Sequence, residues 1–112
     1  MWVPFSFEAA NQTLTSGEYI LWSERSEVFL RVANGKTVAM ISANRTVHDG
    51  GKFGKVVFRC YENRCFLSQL WPPDPENGRA ILPSRVEREV RKQKQPQQFA
   101  LQVIGGKKEA SN

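Results

Sequence analysis

The sequence predicts a mostly β fold, a small antiparallel barrel or sandwich of six to eight strands with one short C-terminal α-helix. Three observations carry that expectation. Short runs rich in β-branched and aromatic residues follow one another with turn signals at close spacing. Asn34-Gly35 is a two-residue hairpin turn flanked by alternating apolar residues, and both residues accept the positive φ angles that such turns need. Ser84 and Glu87 form an S-x-x-E capping box, a helix start placed late in the chain.

The elements read in order as follows. VPFSFEAA belongs to a first strand near residues 2–9. SGEY turns a corner at Gly17 into a strand near 18–24, with Leu14 available to tuck beneath it. Strands near 27–33 and 37–43 flank the Asn34-Gly35 turn, and strands near 54–61 and 65–71 flank a second hairpin. DGGKFGK, 49–55, connects the two pairs. WPPDPENG, 71–78, cannot be a central strand, since three prolines remove ladder donors and fix φ. The helix spans about 84–94 on a thin apolar stripe of Val86 and Val90, with Glu87 and Arg91 at i,i+4 spacing. So thin a stripe is marginal alone and must lie against the sheet. A last strand follows near 98–104. Residues 1–104 then form one domain and 105–112 a loose tail.

Register can be read for the first hairpins. A turn at Asn34-Gly35 sets Leu30 opposite Ala39 and Phe29 opposite Met40, and a turn at Arg25-Ser26 sets Leu21 opposite Leu30 and Trp22 opposite Phe29. One face then carries Tyr19, Leu21, Val28, Leu30, Val32, Ala39 and Ile41, a core face. The other ought to be polar, yet it carries Ile20, Trp22, Phe29, Val38 and Met40 beside Arg31. An apolar line of Trp22, Phe29 and Met40 across three strands needs cover. The chain itself, a second subunit, another protein or a small hydrophobic ligand would supply it.

Composition sets the outer bounds. The 112 residues are 40% hydrophobic and 24% charged, with seven Phe among twelve aromatics, enough for a core without cofactor or metal. No apolar run approaches the ~20 residues of a membrane-spanning helix. The net charge of +5 is uneven: residues 1–78 carry eight basic and eight acidic side chains, residues 79–112 eight and three. The basic end includes Arg85, Arg88, Arg91, Lys92 and Lys94, candidates to meet phosphates or acidic lipid headgroups. Without aromatic interleaving or a recognisable nucleic-acid motif, nucleic acid is not an expected partner.

The two cysteines, in FRCYENRCFL, raise three readings. A zinc site lacks ligands, because His48 is the only histidine and Cys-x4-Cys the only cysteine pair. A redox pair would want Cys-x-x-Cys at a helix N-terminus. In a hairpin looped at Glu62-Asn63, Cys60 and Cys65 fall opposite one another in a non-hydrogen-bonded pair, a geometry at the lower edge of what a disulfide tolerates. A staple therefore stands against two buried free thiols. Catalytic sets are harder to find. His48 sits in a loop-like stretch beside Asp49, and no spacing selects two carboxylates from Glu8, Glu18, Glu24 and Glu27. Trp71, before the proline-rich loop, is a core plug or the wall of a groove.

The opening VPFSFEAANQTLTSGEYIL resembles that of small exported proteins common in acidobacterial genomes, with a P-F-x-F start and an L-x-x-G-x-Y corner. FLSQLW followed by GRAILPSRVEREV is similar to their second hallmark, F-L-S-Q-x-W and then an S-R-x-E-R-E segment. The resemblance covers roughly residues 3–92. It implies a β fold and export, periplasmic or extracellular, with a leader peptide that is absent from this sequence. No catalytic residue comes with it. The expected function is a non-enzymatic binding or interaction module of the cell envelope; the alternatives are an anionic-surface binder acting through the basic C-terminal helix and a small enzyme with an unrecognised site.

Overall fold

The computed structural model describes residues 1–32, 35–46, 54–71 and 78–102. Asn34, His48, most of the 49–55 connection, residues 72–77 and the 103–112 segment lie outside them. The elements are β1 (Trp2–Val3), β2 (Phe7–Ala9), β3 (Gln12–Leu14), β4 (Gly17–Glu24), β5 (Glu27–Val32), β6 (Thr37–Ser42), β7 (Asn44–Thr46), β8 (Lys55–Tyr61), β9 (Arg64–Trp71), β10 (Gly78–Ala80), α1 (Arg85–Arg91) and β11 (Gln97–Gln102). They make two sheets. The first has the order β1-β4-β5-β6; the second runs β11-β8-β9-β10-β7, with β2 joined to β9 and β3 to β2.

The fold is mostly β with one short helix, as the sequence predicts, but four boundaries differ. The run 2–9 is two strands in different sheets, because Pro4 has no amide to donate and the chain crosses between layers there. Phe5, at the crossing, packs edge-on against Phe58 and Phe99. Residues 12–14, 44–46 and 78–80 form additional strands of three residues each, too short for periodicity to show. The helix ends at Arg91, with Lys92 as its C-cap, instead of near 94. The last strand begins at Gln97, and β2 meets β9 in parallel, Glu8 beside Phe66, so the sheets are not wholly antiparallel.

The first sheet has the expected register through Leu30: Leu21 opposite Leu30, Trp22 opposite Phe29, Phe29 opposite Met40 and Leu30 opposite Ala39. A bulge at Leu30/Arg31 then shifts the pairing, setting Arg31 opposite Thr37. Positive φ at Arg25 turns β4 into β5, and at Ala10 and Asn11 it turns β2 into β3. Tyr19 reaches back with its hydroxyl to the Thr15 carbonyl, 2.6 Å away, closing the corner that Gly17 opens.

Between the sheets lies one core. Val3, Tyr19, Val28, Leu30 and Ala39 come from the first sheet; Phe7, Val56, Phe58, Leu67 and Leu70 come from the second. Trp71 is buried, a plug and not a groove wall, with its ring against Gly78: a Cβ added there would stand 2.4 Å from the ring. A bulge at Val57/Phe58 bends β8 and sets Gln69 opposite Val57, where an unbroken hairpin would have placed Val56.

Cys60 and Cys65 are a disulfide pair across the β8–β9 hairpin, with Cα atoms 4.0 Å apart and Glu62-Asn63 as the loop. The free-thiol alternative is thereby removed. The bridge closes a short loop, so its chain-entropy contribution is about 2 kcal/mol.

The far face of the second sheet is held by a buried polar network instead of an apolar stripe. Glu87 is 1% exposed, whereas Val86 faces solvent. Its carboxylate accepts from Arg59 Nε at 2.5 Å and Nη2 at 3.1 Å, and from the Tyr61 hydroxyl at 2.6 Å. Arg59 also donates to Ser68 Oγ and to the Ile81 carbonyl. Ser84 Oγ accepts from the Glu87 amide, which is the expected cap. The Glu87 side chain does not complete the box, because it turns inward to the sheet. Burial, then donation to the Glu87 carboxylate, push the Tyr61 phenol above its ordinary pKa.

Candidate functional site

The outer face of the first sheet is where the structure departs most from what a water-facing sheet should carry. On alternate positions of β4, β5 and β6 stand Ile20, Trp22, Phe29, Arg31, Val38 and Met40. Trp2 joins them, since β1 pairs Trp2 with Glu18, two residues before Ile20. Trp2, Ile20 and Met40 are 59%, 47% and 58% exposed, while Trp22, Phe29 and Val38 are half-buried.

Three side chains in the middle form an ordered row. Trp22 and Phe29 stack with ring centroids 5.2 Å apart and planes 11° from parallel. Arg31 lies over the Trp22 ring at 4.9 Å, a cation–π contact of roughly 0.5–1 kcal/mol at a partly exposed site. Its Nε is shielded from water and has no hydrogen-bond partner among the described residues. Trp22 Nε1 donates to Glu24 Oε2 at 3.1 Å, which fixes the indole further. The row is therefore set before any partner arrives, and Glu18, Glu24 and Glu27 give the face an acidic rim.

The expected residues Trp22, Phe29 and Met40 do share this face. Trp2 is a member that sequence reasoning missed, because an unbroken strand at 2–9 gave no reason to place it beside β4. Pro4 was the available signal.

The basic helix is more divided than its sequence suggests. Arg91 turns toward the network, donating from Nε to the Tyr61 hydroxyl at 3.2 Å and lying 3.9 Å from Glu87. Lys92 pairs with Glu89 at 3.3 Å and Lys94 with Glu62 at 2.9 Å. Arg85 and Arg88 are exposed, and Arg88 contacts the Pro83 carbonyl. The four candidates Arg85, Arg88, Arg91 and Lys92 thus do not form one convergent anion site.

Two clefts flank Leu82. One, of about 240 Å³, lies between the β2–β3 hairpin and the start of α1, floored by Leu67 and Ile81. Its acidic members are already engaged: Glu8 with Arg64 at 2.8 Å, Glu87 with Arg59. The other is lined by Arg25, Ser26, Ile41 and Ala43. Among the described residues no group of three or more His, Cys, Asp or Glu side chains could hold a metal ion. Among them, too, no helix is long and apolar enough to cross a membrane.

Comparison with protein-family models, with curated proteins and with solved structures finds no match for the chain.

Proposed function

We propose that this protein is an exported, non-enzymatic binding module of the cell envelope, and that the outer face of its first sheet is the contact surface. The observation that carries the reading is the apolar face itself: Trp2, Ile20 and Met40 around a pre-stacked Arg31–Trp22–Phe29 row. Contiguous exposed apolar surface of this kind marks interaction sites in soluble domains. Trp and Arg are also the side chains that most often dominate binding energy, and a row already ordered loses little conformational freedom on binding.

The shape favours a macromolecule. A small hydrophobic ligand needs a concave site that buries most of its surface. Here the clefts described above lie elsewhere, and the face is a sheet surface four strands wide. Export is supported by the Cys60–Cys65 disulfide, since such bonds persist in oxidising compartments, and by the resemblance to exported acidobacterial proteins.

The test is a charge substitution at the two exposed strand positions. The double variant Ile20→Asp/Met40→Asp is expected to melt within a few degrees of the parent, since both side chains already face water. It is expected to lose the complex that the parent forms in envelope extracts, read by size-exclusion chromatography with light scattering. A retained complex removes the reading. Gross unfolding would instead assign the face to the core.

A further inference from the structure

The second sheet ends at β11, and this edge differs from the others in one respect that matters. Exposed edge strands are templates for adding another strand, and proteins blunt them with charges, prolines, brevity or cover. The other edges are shorter or partly engaged, and β3, which pairs only with β2, is three residues long. β1 is two residues long and followed by Pro4. β6 has its Val38 carbonyl taken by Gln12 Nε2 at 2.7 Å. β7 is three residues with Arg45 in the middle. β11 is six residues, Gln97–Gln102, and lies inside a run of twelve residues, 95–106, without a single charge. Among the described residues β8 is its only neighbour.

Which backbone groups face outward follows from the disulfide pair. Cα atoms 4.0 Å apart identify Cys60 and Cys65 as the close, non-hydrogen-bonded type of antiparallel pair. The Cys60 amide and carbonyl therefore turn the other way, to Gln97, its partner in β11. By alternation along the strand, Gln98, Ala100 and Gln102 direct their N–H and C=O groups away from β8.

We infer that β11 is a strand-pairing edge, and that its occupant is the same strand of a second copy, antiparallel and centred on Ala100. This surface is separate from the apolar face of the first sheet and does not depend on it. The pairing sets Ala100 against Ala100, Gln98 against Gln102 and Phe99 against Leu101. None of these carries charge, so two copies of a molecule with net charge +5 meet without like charges opposed in the ladder. It also covers Phe99, which is 45% exposed, above the shallow groove lined by Phe5, Cys60 and Cys65. A two-fold contact closes on itself, so the edge is consumed and no fibre grows from it. Five paired residues per copy, 98–102, bury less than the ~1,200 Å² of a standard interface, so the dimer belongs to the weak, concentration-dependent class.

The experiment is sedimentation of the untagged protein from about 1 to 500 µM, with amide exchange at both ends of the range. The expected result is a monomer that becomes a dimer in the upper part of that range. The amides of Gln98, Ala100 and Gln102 are expected to exchange at least about tenfold more slowly when concentrated. Ala100→Lys and Ala100→Glu are each expected to be monomeric, because like charges then face each other across the axis, and an equimolar mixture of the two is expected to regain the dimer. Ala100→Pro, which removes an outward N–H, is expected to be monomeric with its pairing to β8 kept. A monomer throughout with unchanged exchange would overturn the inference, as would a dimer untouched by the Ala100 changes. A dimer abolished by Ile20→Asp/Met40→Asp and not by Ala100→Lys would move the contact to the first sheet.

Discussion

Glu87→Ala is expected to lower stability by about 3–5 kcal/mol, the largest effect of any single side chain outside the core. Glu87 is almost wholly buried and, among the described residues, supplies the only counter-charge hydrogen-bonded to Arg59. Truncating it leaves a guanidinium at 14% exposure without its carboxylate, and a Tyr61 hydroxyl without its acceptor. It also unpins α1, whose outward valine contributes little packing. Thermal unfolding should show a midpoint roughly 12–20 °C lower, at the ~4 °C per kcal/mol suited to a domain of this size. Replacing both partners by apolar residues, Arg59→Met with Glu87→Leu, should recover most of the loss, because no uncompensated charge is then buried. A single-variant cost below about 1 kcal/mol would mean that water reaches the pair and that the network is decorative.

Phe58→Ala should be comparably damaging for a different reason. Phe58 is fully buried, and its ring meets Phe5 at 5.0 Å and Phe7 at 5.5 Å, both edge-on. Removing it opens a cavity at the centre of the inter-sheet core, for which about 3–5 kcal/mol is usual. Phe58→Leu should cost markedly less, since most of the volume is kept. The two sites share no partner among these contacts and lie on opposite faces of β8, so their effects should add. Glu87→Ala with Phe58→Ala is then expected to be largely unfolded in denaturant-free buffer, because the sum approaches the whole stability of a typical domain.

What could be read from the sequence was local and periodic. The Asn34-Gly35 and Arg25-Ser26 signals set the register of β4, β5 and β6, and with it the pairing of Trp22, Phe29 and Met40. The Glu62-Asn63 loop set Cys60 against Cys65. What could not be read depended on residues far apart in the chain. Arg59 and Glu87 are 28 positions apart, and helix logic assigned Glu87 to a cap and an i,i+4 pair. A signal was nevertheless present, since Arg59 and Ser68 interrupt otherwise apolar strands, and a charge set into a buried strand requires a partner. The bulges at Leu30/Arg31 and Val57/Phe58 have no counterpart in turn chemistry or alternation. Of the candidate contact face, the central row was legible and Trp2 was not.

The central claim is that the outer face of the first sheet is reserved for a partner. Its most direct test is photo-cross-linking in cells of the source organism, with benzoylphenylalanine replacing Met40 on that face or Arg85 on the helix. The account predicts a discrete adduct from position 40, lost when Ile20→Asp is added, and none from position 85. Cross-linking from position 85 alone would contradict it and shift the contact to the basic helix. No adduct from either position would leave the face without a partner and the claim without support.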